Sequence, residues 1–236
     1  METKIKPIFN IRQEIIYADE ANQRHYRRLI GGLAWPALPK PGFLVVLAEE
    51  VVTGPIPDTP PRLWVVAERE ATSIKDMYRY CLELRYSWKT EIKWLTDVSP
   101  GRKPEKDAFR NAGREFPQAP NPISLHAALY SDTSPTLGTY SQIIADLIRP
   151  ECKILHFLEG SSLQGYLLTC TPEESERHAA NFPPVAALGY AAAEMAVRQP
   201  PSQIGIIWPG TKKPNVKKDW NPYQNQGPPY GPRWRR

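Results

Sequence analysis

Phe43-Leu44-Val45-Val46-Leu47-Ala48-Glu49-Glu50, Leu63-Trp64-Val65-Val66-Ala67-Glu68 and Ile92-Lys93-Trp94-Leu95-Thr96-Asp97 are three short apolar runs, each closing on a carboxylate. Their β-branched and aromatic content predicts strands over 43–51, 62–68 and 91–97. The first run shows no polar alternation, the mark of a strand covered on both faces. Between the second and third runs, Ile74, Met77, Tyr78, Cys81 and Leu84 or Arg85 recur at three-to-four spacing. That spacing predicts a helix ending near Trp88, opened by a capping box of Ser73 and Asp76. A helix between two strands fits a parallel crossover, and the proline-rich loop before Leu63 fits an antiparallel neighbour. The stretch therefore predicts a mixed sheet with helices packed on it.

On the N-terminal side, Ile15-Ile16-Tyr17 predicts a short strand. Asp19 reads as an N-cap for a helix from Glu20 to Ile30, stopped by Gly31-Gly32. In that helix Arg24, Arg27 and Arg28 share a face, which is a solvated surface or a phosphate contact. Trp35 to Gly42 carries three prolines and is expected to be extended.

On the C-terminal side, Ser99–Asn121 is expected to be irregular, with one short helix near 107–112. Ile123–Tyr130 is a short apolar element. Helices are expected over Thr139–Ile148 and Leu163–Cys170, with Lys153–Leu158 as an edge strand between them. Thr171-Pro172-Glu173-Glu174 has the form of a helix start. Pro184 opens a last helix to Val197, with Ala187, Leu188, Ala191, Ala192 and Met195 as its buried stripe. Ile204–Trp208 is a final strand or docked segment.

The 236 residues are expected to form one α/β domain over 1–208, with an N-terminal arm over 1–42 and a disordered tail over 209–236. No run approaches the roughly 18 apolar residues of a membrane helix, so no membrane partner is expected. Met1-Glu2-Thr3-Lys4 starts no signal-peptide apolar region, and the three cysteines fit reduced, buried thiols, so a cytoplasmic protein is expected.

Charge is unevenly placed. From Thr211 onward seven basic residues face the single acid Asp219, a net +6, which leaves −1 on the rest of a chain whose total is +5. Lys212, Lys213, Lys217, Lys218, Arg233, Arg235 and Arg236 alternate with Trp220, Tyr223, Tyr230 and Trp234. Cations attract phosphate and release counterions, and aromatics stack on bases, so DNA is the expected partner of the tail. A solubilising tail or a protein-docking tail fits the same composition.

The strand-end acids are the other candidate chemistry. Glu49, Glu68 and Asp97, with Glu50 and Glu70 as near alternatives, would hold Mg²⁺ or Mn²⁺ if strand register brought them together. Two such metals about 4 Å apart support phosphodiester cleavage. The plainer explanation is that acids end strands where solvent begins. His25, His126, His156 and His178 have no ligand spacing, and neither a P-loop nor a nucleophile elbow is present.

The order of these elements resembles an RNase H-like fold, in particular the nuclease domain of tailed-phage terminase large subunits. The similar parts are Phe43–Glu49, Leu63–Glu68, Ser73–Trp88 and Trp94-Leu95-Thr96-Asp97, followed by Tyr140–Ile148, Lys153–Leu158 and Ala187-Leu188-Gly189-Tyr190. The resemblance implies a metal-ligand role for Asp97, adjacent parallel strands at 43–51 and 91–97, and Glu49 beside Asp97 as catalytic partner. It further implies a phage-derived protein that cleaves or handles DNA with divalent metal in the cytoplasm of a bacterial host, alongside packaging or capsid proteins. Two departures stand out. The first strand offers Glu49 or Glu50 where the family has Asp, and Asn181-Phe182-Pro183-Pro184-Val185 holds no carboxylate where the family has one. The alternative is a catalytically inactive RNase H-like binding or assembly module that acts through its basic tail.

Overall fold

Trp94 and helix 183–197 close on the second half of one strand from opposite sides, where that strand carries Gly31 and Gly32. The computed structural model describes residues 4–10, 13–36, 39–51, 61–116, 121–129, 137–150, 153–169 and 182–197. Among the described residues eight strands form one mixed sheet: β1 (Ile5–Phe9), β2 (Ile15–Asp19), β3 (Arg24–Ala34), β4 (Gly42–Glu50), β5 (Leu63–Ala71), β6 (Lys93–Thr96), β7 (Leu125–Ala127) and β8 (Leu155–Phe157). Five helices accompany them among the described residues: α1 (Ile74–Trp88), α2 (Lys103–Arg114), α3 (Leu137–Ile148), α4 (Leu163–Thr169) and α5 (Pro183–Val197).

The central order is β7-β6-β3-β4-β5-β8. β4 runs antiparallel to β3 and β5, while β6 is parallel to β3, β7 to β6 and β8 to β5. The β1–β2 hairpin joins the edge of β3 that also receives β6, nearer the start of β3. The three expected strands thus share one sheet. The expected adjacency of 43–51 and 91–97 is corrected: β3 lies between them, and β6 is parallel to β3 rather than to β4.

β3 occupies the segment that the pattern marked as helix. Asp19 caps no helix; its carboxylate accepts the Asn22 backbone N–H at 3.2 Å in a turn, and the Tyr26 hydroxyl at 3.2 Å. The helical spacing of Arg24, Arg27 and Arg28 is coincidental, because a register shift between Tyr26 and Arg28 makes Arg27 an extra residue in the strand. The two glycines stop nothing. A Cβ on Gly31 would meet the Trp94 ring at 2.3 Å, and one on Gly32 would meet the Ala187 carbonyl oxygen at 1.8 Å. Successive residues point to opposite faces, so the pair clears one face for an indole and the other for a helix backbone.

One face of the sheet packs Leu33, Leu44, Val46, Ala48, Val66 and Trp94 against Met77, Tyr78 and Cys81 of α1 and Phe109 of α2. Burial pushes the Cys81 thiol well up, as expected for a structural cysteine. Ser73 caps α1 by accepting the Asp76 N–H at 3.1 Å, and hydroxyls of Ser73 and Thr72 donate to the Asp76 carboxylate, holding it below its ordinary range. The other face is covered by α5, whose residues Val185 to Met195 are all buried. Within that helix Gly189 lets α3 approach, since a Cβ would meet Tyr140 Cβ at 2.3 Å, and Tyr140 and Tyr190 sit edge to face at 5.0 Å.

The chain divides into a compact unit over Met1–Gln203 and a second over Ile204–Arg236. The second unit lies outside the described residues, as do the expected helix start at Thr171 and the tail from 209 to 236.

Gly32→Ala is expected to destabilise the fold by about 3 kcal/mol or more, because the obstacle is helix backbone rather than a movable side chain. Gly101→Ala, into open space, should change stability by less than about 0.5 kcal/mol. Urea unfolding followed by circular dichroism measures both.

Candidate functional site at the sheet end

Asp97 follows β6 directly. Trp94 turns into the α1 side of the sheet, so alternation turns Leu95 and Asp97 toward α5. The residue is 4% exposed. Its Oδ1 accepts the Ser99 N–H at 2.9 Å, its backbone carbonyl accepts the Trp35 indole N–H at 3.0 Å, and its Oδ2 lies 3.9 Å from Arg102 Nε. Arg102 in turn donates from Nη1 to Glu105 Oε1 at 2.8 Å. Tyr190 of α5 lies within electrostatic reach of the site; burial pushes its hydroxyl pKa up, the Asp97 charge adds to this, and Arg102 opposes it. Thr96 Oγ1 and Glu105 Oε2 are buried without a partner among the described residues.

The register fixes what stands beside Asp97. Leu33 pairs with Thr96, so the next residue of β3, Ala34, is level with Asp97. A methyl group and a guanidinium therefore flank the carboxylate where a second acid would be needed.

The other acids lie elsewhere. Glu49 pairs with Arg28 at the start of β3, whereas Ala34 at its end pairs with Phe43. Six residues of strand separate those levels, roughly 20 Å. Expecting Glu49 beside Asp97 is corrected: β4 runs antiparallel to β3, so its final acid is carried to the far end of the sheet. There Glu49, 3% exposed, is bound by Arg27 and lies 3.6 Å from Arg28 Nε. Glu68 is three strand spacings from β6, about 14 Å. It holds the start of α4, accepting the Ser162 N–H at 2.5 Å and the Ser161 and Ser162 hydroxyls at 2.7 and 2.9 Å. Glu70 accepts the Tyr166 hydroxyl, and Glu50 accepts the Trp64 indole N–H at 2.8 Å. Glu194 of α5 is paired at 2.8 Å with Lys93, which is level with Ile30 and not Ala34.

Glu49, Glu68 and Asp97 are thus not brought together, and no group of three or more His, Cys, Asp or Glu side chains suited to a metal is found among the described residues. Asp97 alone, with a cation as neighbour, does not make the donor set of a two-metal centre. The basic and aromatic candidates from Lys212 to Arg236 lie outside the described residues. Arg102 and Tyr190 are the site residues that the pattern did not single out. The available signal for Arg102 was an arginine five positions beyond a strand-end aspartate; Tyr190 lay in the alanine-rich helix and carried no charge to mark it.

At the opposite end of the sheet, the Arg24 guanidinium lies 3.6 Å from the Trp64 ring centroid, and His156 is stacked against Trp64 at 4.6 Å. Burial first, and then the Arg62 and Arg24 charges, lower the His156 pKa from 6.5, against opposing contributions from the Lys153 backbone and Glu50. The folded state prefers the neutral imidazole, so the unfolded chain binds more protons just below pH 6.5. The stabilisation is complete above about pH 6.5 and is lost as pH falls toward the lowered folded value. Thermal melts at pH 7 and 5 are expected to show a smaller loss in His156→Phe, which keeps the stack without the proton, than in the parent chain. No family model, curated protein or solved structure matches this chain.

Proposed function

We propose that the chain is an RNase H-like module, akin to the nuclease domain of tailed-phage terminase large subunits, that handles DNA or assembles on it without metal-dependent cleavage. The strand order supports the fold assignment. β3, β4 and β5 form an antiparallel meander, α1 leads to a fourth strand beside the first, and α2 leads to a fifth outside it, as in RNase H-like sheets.

The observation that carries the functional reading is the surroundings of Asp97. In that fold it stands where a metal-binding acid is expected, yet Ala34 is level with it and Arg102 neutralises it. A guanidinium fixed near a carboxylate competes with any cation for the same oxygens. DNA contact then falls to the +6 tail, with DNA and packaging or capsid proteins as partners and the bacterial cytoplasm as the setting.

Calorimetric titration with Mn²⁺ is expected to give no binding at millimolar metal, and plasmid cleavage with Mn²⁺ should match the background of Asp97→Asn. Cleavage by the parent that Asp97→Asn abolishes would establish the nuclease reading instead. Removal of residues 211–236 should weaken duplex DNA binding and flatten its salt dependence, by about 0.9 in the log–log slope for each phosphate that the tail neutralises. An unchanged slope would assign the tail to a protein partner.

A further inference from the structure

A groove of about 690 Å³ lies between α2 and the segment that enters β7. Its walls include Phe116, Ile123 and Leu125, and its charged lining is Lys106, Arg110 and Arg114, with no carboxylate among the lining residues. The three cations succeed one another at four-residue intervals on α2, so they rise along the helix in steps of about 6 Å. The Arg110 side chain is 75% exposed, and among the described residues its ion pair is with Asp107, at 3.5 Å. Lys106 spends one of its three donors on the Val98 carbonyl, at 2.9 Å.

The groove borders a sheet edge that is open among the described residues. Among the described residues β7 pairs only with β6, and His126 and Ala127 are exposed. The Ala128 N–H donates to Thr96 O at 2.9 Å, so that residue faces β6. Alternation then turns the backbone groups of Ala127 and Leu125 to the free side. β7 itself, Leu125-His126-Ala127, carries neither the proline nor the lysine that commonly guard an edge.

We propose that this edge and groove together bind an acidic peptide segment in extended form, added as a further strand beside β7. Main-chain hydrogen bonds to Ala127 and Leu125 supply the pairing. Side chains on one face of an extended peptide recur every two residues, about 6.7 Å, close to the rise between the α2 cations. Glutamates at alternate positions lay their methylenes on Leu125, Ile123 and Phe116 and bring their carboxylates to Lys106, Arg110 and Arg114. The site is separate from Asp97 and stands whether or not Asp97 binds metal.

The test is fluorescence polarisation with a labelled eight-residue peptide of alternating Glu and Val, on the full chain. The parent is expected to bind it at least about tenfold more tightly than the matching Gln and Val peptide. Arg110→Glu with Arg114→Glu should weaken binding by roughly tenfold or more. Ala127→Pro removes the outward N–H at an edge position where proline is tolerated, and should abolish binding with an unchanged melting temperature. Ala127→Val, which keeps the N–H, should bind like the parent. No binding by the parent, or equal binding by Ala127→Pro with its fold intact, would overturn the proposal. So would displacement of the peptide by a ten-residue oligothymidylate whose own binding depends on Arg110 and Arg114 and ignores Ala127→Pro, since the groove would then belong to single-stranded nucleic acid.

Discussion

The absence of side chains at two consecutive positions of β3 is the constraint on which the rest of the structure depends. Gly31 admits the Trp94 ring from one side and Gly32 admits the α5 backbone from the other. Close packing leaves no slack for either contact to be replaced by a nearby one. β6 is set beside β3 by the first contact, and α5 lies across β3 and β4 by the second. Asp97 and Tyr190 come within electrostatic reach of each other through both contacts. The geometry of the sheet end is therefore set two to three residues back along β3 and β6, by groups that carry no charge.

Both ends of the sheet solve the same electrostatic problem with arginine. Glu49 and Asp97 are almost fully buried carboxylates, and desolvation makes a buried charge costly unless it is paired and hydrogen-bonded. Arg27 and Arg28 answer Glu49, while Ser99 and Arg102 answer Asp97. Pairs of this kind add little net stability, but each guanidinium occupies carboxylate oxygens for which a metal cation would otherwise compete. Glu68 follows a different course, and its oxygens hold the start of a helix.

Much of the architecture was legible because it rests on local periodicity. The helix from Ser73, the strands on either side of it and the last alanine-rich helix all announce themselves by spacing and capping. β3 did not, because its evidence is tertiary. Gly31-Gly32 ends a helix in most contexts and becomes strand only when an indole and a helix arrive to use the space. Misreading that one segment displaced the whole site, since adding β3 between β4 and β6 reverses the end of the sheet at which Glu49 emerges. Asp97 was legible as a strand-end acid. Its partners were not, because Arg102, Ala34 and Tyr190 come together only through register and crossover.

Helix α5 also fixes when the protein can be finished. The β3–β4 face that it covers is complete by residue 50, but the helix begins at Pro183. At 5–20 residues per second a ribosome needs on the order of ten seconds to cross that interval. Throughout it Val45, Leu47 and the bare Gly32 backbone lack the helix that covers them in the fold. Synthesis order thus leaves the α5 side of β3 and β4 uncovered until residues 183–197 have emerged.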